Sequence, residues 1–109
     1  MPNYSRNEIV LVRFPFSDLT KSKIRPAVVA NPTHASRDLF LVSLTTKTSG
    51  LMAGEFVLSD WASAGLNVET AVKRGIFTIR EDLILRSIGS LTQIDVEELA
   101  RSLRFWLGM

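Results

Sequence analysis

Two short segments of the chain combine cations with hydroxyl groups. The first is a basic loop that meets the start of a strand, and its cations are Lys21, Lys23 and Arg25. The second, residues 43–48 at the end of a strand, carries the cation Lys47 and the hydroxyls of Ser43, Thr45, Thr46 and Thr48. Guanidinium, ammonium and hydroxyl groups are donors that bind phosphate oxygens. The two segments together fit a phosphate ligand, and they also fit a solvated loop and an ordinary strand end.

Other chemistries have little support in the sequence. The chain has no cysteine and one histidine, His34, which lies in a polar loop where we expect it to be solvated. No group of Asp, Glu and His has the spacing of metal ligands, and there is no glycine-rich phosphate loop. A Ser-His-Asp triad would have to use His34, whose context does not resemble a nucleophile elbow. We therefore expect no metal site and no cofactor.

The size and charge of the chain limit its organisation and its partners. Its 109 residues are enough for one domain and too few for two, so we expect a single domain over residues 1–109. The net charge is only +2, but residues 1–50 hold seven Lys or Arg against three Asp or Glu. A basic half indicates a polyanionic partner weakly, because ordinary solubility charge would give the same numbers.

The sequence predicts a cytoplasmic protein that does not enter a membrane. No apolar run approaches the roughly 18 residues that a membrane-spanning helix needs. The N-terminal residues 1–8 lack the apolar stretch of a signal peptide. The absence of cysteine also fits a reducing compartment.

Short strands are the elements that must position the chemical groups. Apolar and β-branched runs predict strands over residues 9–14, 26–30, 39–45, 55–58, 71–80 and 84–88. The polar stretch 15–24 predicts a long mobile loop, and Gly75 predicts a bend or bulge inside its strand. The strand spacing indicates a small barrel or a strongly curved antiparallel sheet, because closure protects the strand edges.

One helix is predicted at the end of the chain. Thr92 has the place of a cap, and Asp95 follows three residues later as in a capping box. One face carries an apolar stripe at helical spacing, formed by Val96, Leu99, Ala100, Leu103 and Leu107. We expect this stripe to pack against the sheet.

Several motifs resemble the MazF/PemK family of toxins. Residues 8–20, EIVLVRFPFSDLT, and 23–29, KIRPAVV, resemble the opening hairpin of that family. Later segments match in the same order over nearly the whole chain, at residues 44–46, 55–58, 76–79 and 88–91. The resemblance implies an SH3-like barrel of antiparallel strands with a C-terminal helix.

The resemblance also implies a function. It implies the toxin of a type II toxin–antitoxin system, a homodimeric and metal-independent endoribonuclease that cuts single-stranded RNA at short sequences by 2′-OH attack. It implies a cognate antitoxin that blocks the site, with DNA as a partner only through the antitoxin complex. The family's catalytic residues fall on Arg25 and Thr45, with Thr46 the adjacent candidate. The RNA-binding candidates are Lys21, Lys23, Thr46, Lys47, Lys73 and Arg74.

One departure leaves other interpretations open. Many family members carry a cation followed by an Asp before the stretch at 76–79, whereas residues 72–77 here contain Lys73 and Arg74 but no acid. Such a chain could bind nucleic acid or an antitoxin without cutting. The segment Phe105-Trp106-Leu107-Gly108-Met109 also loosely resembles the tail with which CcdB-like toxins inhibit DNA gyrase. The simpler interpretation is that Trp106 and Leu107 pack the helix down.

Overall fold

The computed structural model describes residues 4–14, 23–31 and 38–109. Within these ranges the chain forms six strands and one long helix: β1 (Glu8–Phe14), β2 (Lys23–Val29), β3 (Asp38–Thr45), β4 (Phe56–Val57), β5 (Ala71–Arg80), β6 (Ile84–Ser90) and α1 (Gln93–Leu107). The predicted fold class, mainly antiparallel β with one C-terminal helix, is confirmed. Most of the predicted loop at 15–24 lies outside the described residues. Lys21 and His34 lie outside them as well.

The strands form one antiparallel sheet in the order β4-β5-β3-β2-β1-β6. The sheet does not close into a barrel, so β4 and β6 are its edges. The sheet stays open because β4 has only two paired residues, Phe56 and Val57, and both pair with β5. The edge at β6 is covered by the connection that precedes β5, since a Cβ on Gly65 or Gly89 would collide with the backbone of the other segment.

Alternation along the strands builds an apolar core on each face of the sheet. One face, here called the helix face, carries Ile9, Val28 and Val42, which pack with Leu99 of α1. The other face, here called the far face, carries neighbouring residues of the same strands, among them Val10, Ala27, Val29 and Leu41. Successive side chains of a strand point to opposite faces. Alternate residues of each strand therefore lie on the same face.

The helix begins and ends where the sequence predicts, but its polar contacts differ. Thr92 occupies the N-cap position without a capping hydrogen bond from its side chain. The Asp95 carboxylate is buried and accepts hydrogen bonds from the backbone N–H of Ser59, at 3.0 Å to Oδ1 and 2.9 Å to Oδ2. The capping-box prediction is therefore wrong in detail. The Asp95 carboxylate accepts from the Thr92 hydroxyl at 3.3 Å, but its backbone donor is Ser59 and not Thr92, so it also ties the helix to the connection after β4.

The last turn of α1 also departs from the prediction. Leu107 was expected in the apolar stripe but is 58% exposed, because Trp106 takes the inward position there. The Trp106 indole packs against the helix-face core, and its Nε1–H donates a hydrogen bond to the Ala53 carbonyl at 3.0 Å. In addition, the Ser102 hydroxyl donates to the Gly54 carbonyl at 2.6 Å. The end of the helix therefore holds the connection between β3 and β4.

The predicted irregularity at Gly75 is confirmed. Val42 pairs with Ile76 and Leu44 pairs with Val72, so two steps on β3 match four steps on β5. Residues 73–75 form the extra length, opposite Ser43. A Cβ on Gly75 would lie 3.3 Å from the Ser43 hydroxyl oxygen, so this position has little room for a side chain.

Candidate functional site

The pairing of β2 with β3 stops early, and the gap that follows is the centre of the site. The register joins Ala27 to Ser43, and continuing it by two residues would place Arg25 opposite Thr45. No pairing is formed there, because Pro26 has no N–H to donate. Strand β2 nevertheless continues back to Lys23 by pairing with β1 alone, so it begins three residues before the predicted start. Arg25 and Thr45 thus lie on the two sides of a gap between strands.

A pocket of about 220 Å³ occupies this gap. We call it the strand-gap pocket, and its polar lining residues are Lys23, Arg25, Ser43, Thr45 and Lys73. Its apolar wall includes Phe14 and Phe77, whose rings meet edge to face with centroids 4.9 Å apart. The fold therefore brings three cations and two hydroxyls from β2, β3 and β5 to one place. Ser43 belongs to the hydroxyl-rich segment 43–48.

Arg25 presents an exposed guanidinium at this pocket. Within the described residues it donates one hydrogen bond, from Nη1 to the adjacent Ile24 carbonyl at 3.2 Å, and it forms no ion pair. The backbone of Arg25 is paired with Val12 of β1, so the side chain starts from a rigid strand. The guanidinium can therefore direct several N–H donors at an anion in the pocket.

Thr45 is half-buried, and its hydroxyl has a defined role. The Thr45 Oγ1 accepts a hydrogen bond from the backbone N–H of Lys47 at 3.1 Å, as in a turn that follows a strand. Because the oxygen is already an acceptor, its own proton remains to be donated to a ligand. The hydroxyl and the Arg25 guanidinium thus supply complementary donors from opposite sides of the gap.

The two cations of the β5 bulge are separated by the sheet. Lys73 lines the strand-gap pocket on the far face, whereas Arg74 lines a different pocket together with Trp106 and Leu107 of α1. This separation follows from the alternation of side chains along a strand. Of the two predicted candidates, Lys73 alone is brought to Arg25 and Thr45.

A second pocket, of about 210 Å³, adjoins the first. We call it the side pocket. It shares Thr45 and Lys73 with the strand-gap pocket and is further lined by Lys47 and Glu55. Thr46 is exposed beside it and lines neither pocket.

Glu55 is the main residue that the sequence analysis missed. Its Oε1 accepts the backbone N–H of Met52 at 2.7 Å, and its Oε2 accepts the backbone N–H of Arg74 at 2.8 Å. These two hydrogen bonds lower the pKa of the Glu55 carboxyl, and the one from Met52 has the larger effect. The nearby charges of Lys73 and Arg74 lower it further. An acid absent from residues 72–77 thus reaches the bulge from another segment. One signal was available: Glu55 is the only acid between Asp38 and Asp60.

Comparison with known proteins places the chain in a family. Residues 5–107 match the model of a family described as PemK-like, MazF-like toxin of type II toxin-antitoxin system. The chain belongs to the PemK/MazF toxin family. No match was found among curated proteins.

The fold agrees with solved structures of PemK/MazF toxins. MazF from Deinococcus radiodurans is similar with a TM-score of 0.79 and 18% identity, each chain being covered in full. The Mycobacterium tuberculosis toxin MazF-mt6 is similar with a TM-score of 0.76 and 21% identity over 94% of this chain and 97% of that chain. A mycobacterial endoribonuclease in complex with its cognate antitoxin is similar with a TM-score of 0.77 and 19% identity over 97% of this chain and 96% of that chain.

Two further findings concern metals and membranes. Among residues 4–14, 23–31 and 38–109, no group of three or more His, Asp or Glu side chains could hold a metal ion. The same ranges contain no helix of sufficient length and apolar character to span a membrane.

Proposed function

We propose that this PemK/MazF toxin is an endoribonuclease that cuts single-stranded RNA at the strand-gap pocket, with Arg25 and Thr45 as its catalytic residues. The observation that carries the proposal is the parting of β2 and β3 after Ala27 and Ser43, which leaves a guanidinium and a hydroxyl facing one cavity. The proposal treats residues 1–109 as one toxin domain.

The chemistry proposed here uses the RNA's own nucleophile. The 2′-OH attacks the adjacent phosphorus and loses its proton, the bond from phosphorus to the 5′-oxygen breaks, and that oxygen takes up a proton. The products carry a 2′,3′-cyclic phosphate and a 5′-OH. Negative charge grows on the phosphoryl oxygens during the attack, and donors already fixed in place stabilise that charge best. Arg25 supplies a permanent cation, and Thr45 supplies a hydrogen bond.

The surrounding cations fit a polyanionic substrate. Lys23 and Lys73 line the same pocket as Arg25 and Thr45, and Lys47 lines the adjoining side pocket. The predicted candidate Lys21 precedes β2 and lies outside the described residues. Phosphates on either side of the cleaved bond would be neutralised by these lysines, so the affinity for RNA should fall steeply with salt.

We further propose a homodimer that is inhibited by a cognate antitoxin. A mycobacterial relative of similar fold is described as an endoribonuclease in complex with its cognate antitoxin. An antitoxin segment with carboxylates would compete with RNA for the cations of the strand-gap pocket. The partners proposed for this chain are therefore single-stranded RNA, an antitoxin and a second copy of itself.

The test is incubation of the purified protein with a long RNA in the presence of EDTA. We expect discrete fragments with 5′-OH ends, formed by the wild type and not by Arg25→Ala. Binding of RNA without fragments would support a non-cutting relative instead. Loss of cutting on addition of EDTA would contradict the metal-independent reaction.

A further inference from the structure

The side pocket adjoins the place where we propose that the cleaved phosphate binds. Thr45 and Lys73 line both pockets, so a phosphate held by Arg25 and Thr45 leaves the neighbouring nucleotide next to the side pocket. Proteins read single-stranded RNA by taking bases out of the stack and binding their Watson–Crick edges. The side pocket is therefore in position to receive one base.

Glu55 is fixed at this pocket in a defined orientation. Each carboxylate oxygen accepts one backbone hydrogen bond, from Met52 to Oε1 and from Arg74 to Oε2. An ionised carboxylate has about four lone-pair sites, so each oxygen keeps capacity for one more donor. The lowered pKa of Glu55 keeps the carboxylate ionised at neutral pH. Two parallel acceptors are thus presented at a rigid position.

Apolar and cationic groups complete the side pocket. The Met52 side chain is 70% exposed although it is apolar, and it lines the pocket together with Leu51. Exposed apolar side chains of this kind can pack against the flat face of a base. Lys47 and Lys73 supply ammonium donors in the same pocket. The lining therefore offers two acceptors, two cations and an apolar wall.

We propose that the side pocket is a nucleobase subsite in which Glu55 selects guanine at one position beside the cleaved bond. Guanine has two adjacent N–H donors on its Watson–Crick edge, N1–H and N2–H, and they match the two free acceptor sites of Glu55. Its O6 acceptor lies beside N1–H and can accept from Lys47 or Lys73. In adenine and cytosine the amino group neighbours a ring-nitrogen acceptor, and in uracil N3–H is flanked by two carbonyls, so each would place an acceptor against the carboxylate.

The inference rests on the proposed ribonuclease function, but its test does not depend on cleavage alone. Inosine lacks the N2 amino group of guanine and keeps N1–H and O6. For the wild type, RNA with guanine at the preferred position should be cut about tenfold to a hundredfold faster than the same RNA with inosine, as expected for a two-pronged contact. This measurement needs no variant, so it is independent of any effect of substitution on folding.

The variant Glu55→Gln tests the residue itself. Its amide keeps the size of the side chain but replaces one acceptor with a donor, so guanine N–H groups lose their match. With RNA randomised around the cleavage site, we expect the guanine preference at one position to fall by about tenfold or more. The matched control is Glu69→Gln, since Glu69 is an exposed acid that accepts from the Thr48 hydroxyl and does not line the side pocket.

Each outcome decides between the two proposals. The subsite is overturned if the wild type shows no preference between guanine and inosine, or if Glu55→Gln slows the cutting of all RNAs equally, which would mark Glu55 as a support for the bulge alone. If the wild type cuts no RNA, the ribonuclease proposal fails. The subsite is then judged from fluorescence anisotropy of short, non-cleavable 2′-deoxy oligonucleotides with guanine or inosine. Equal affinities there overturn the subsite as well.

Discussion

At the scale of single residues, the site depends on side chains that approach one gap from different strands. The Arg25 guanidinium starts from a strand paired with β1, and the Thr45 hydroxyl is oriented by the backbone N–H of Lys47. Glu55 is held by two backbone N–H groups from different segments. All three functional groups are thus positioned by backbone contacts, which mutation of a neighbouring side chain would disturb little.

Arg25→Ala should lower RNA cleavage by about a hundredfold to a thousandfold, the usual cost of one positioned donor. Arg25→Lys should fail as well, because an ammonium cannot make the two-pronged contact with phosphate. The control is Arg101→Ala, which removes an exposed cation of α1 that is paired with Glu98. Cleavage rates and thermal melting should be measured together. A variant that melts several degrees lower yet cuts at the normal rate would overturn the assignment. It would favour the alternative, a structural pairing of Arg25 with Asp18, which lies outside the described residues.

Thr45→Ala should also lower the cleavage rate severely, by about a hundredfold or more, because the donated hydrogen bond is lost. Thr45→Val removes the same hydroxyl while keeping the branched shape, so it should be equally slow. Thr45→Ser keeps the hydroxyl and should recover most of the rate. Single-turnover cleavage of one short RNA gives the comparison. Normal cutting by Thr45→Val would show that the hydroxyl takes no part.

At the scale of elements, helix α1 supports the site through the connection between β3 and β4. Trp106 and Ser102 hold the carbonyls of Ala53 and Gly54, and the next residue is Glu55. The helix and the side pocket are therefore joined within a few residues. Changes in this connection should act first on stability and then on the side pocket.

Gly54→Ala should lower the free energy of unfolding by more than the roughly 1–3 kcal/mol that the strained backbone alone would cost. Gly54 has a φ of +87°, and a Cβ there would collide with the Trp106 indole. Gly50→Ala is the matched control, since Gly50 has a φ of +67° with nothing within 4 Å of an added Cβ. Gly50→Ala should lower the free energy of unfolding only by the cost of a left-handed backbone at a residue with a side chain, roughly 1–2 kcal/mol. Urea unfolding gives both free energies, and equal values would contradict the contact with Trp106.

Asp95→Ala should lower the free energy of unfolding by about 1–3 kcal/mol, because the backbone N–H of Ser59 and the hydroxyl of Thr92 would lose their acceptor. Glu97→Ala is the control on the same helix, where an exposed carboxylate accepts only from Gln93 one turn away. Its loss should cost at most about 0.5 kcal/mol. Denaturant unfolding of the two variants tests this, and a stable Asp95→Ala variant would show that water replaces the carboxylate.

At the scale of the whole molecule, exposed apolar side chains gather at the end of α1. Phe105, Leu107 and Met109 are 64%, 58% and 84% exposed. The two tryptophans, Trp61 and Trp106, are instead half-buried against the helix-face core. Clustered apolar exposure of this kind is typical of an interaction surface. Phe105 is thus the exposed aromatic side chain at this end of the helix.

We expect a homodimer at micromolar concentration, and Phe105→Glu should weaken it because a charge would be buried against the second copy. Light scattering across a concentration series measures the effect. The control is Met52→Glu, which places the same charge at an apolar residue that is 70% exposed in the side pocket. A wild type that is purely monomeric would contradict the proposed assembly. A dimer unaffected by Phe105→Glu would show that another face pairs.

Local patterns in the sequence were sufficient for the elements. The predicted strand over 71–80 and the helix that begins after Thr92 agree with β5 and α1, because alternation and helical spacing are properties of neighbouring residues. The resemblance of two motifs to one family singled out Arg25 and Thr45. A motif depends on the residue types along the chain and not on how the strands pair, so the identity of both residues was available from the sequence alone.

What only the tertiary structure decided was which of these groups meet. The register of β2 against β3, which sets Arg25 across the gap from Thr45, depends on the whole sheet, and so does the approach of Lys73 from β5 to the same pocket. Glu55 is about twenty residues from Arg74 in sequence, and Asp95 is further still from Ser59, so neither hydrogen bond has a local signature. Contacts of this kind depend on how distant segments pack, and a pattern of neighbouring residues does not encode them.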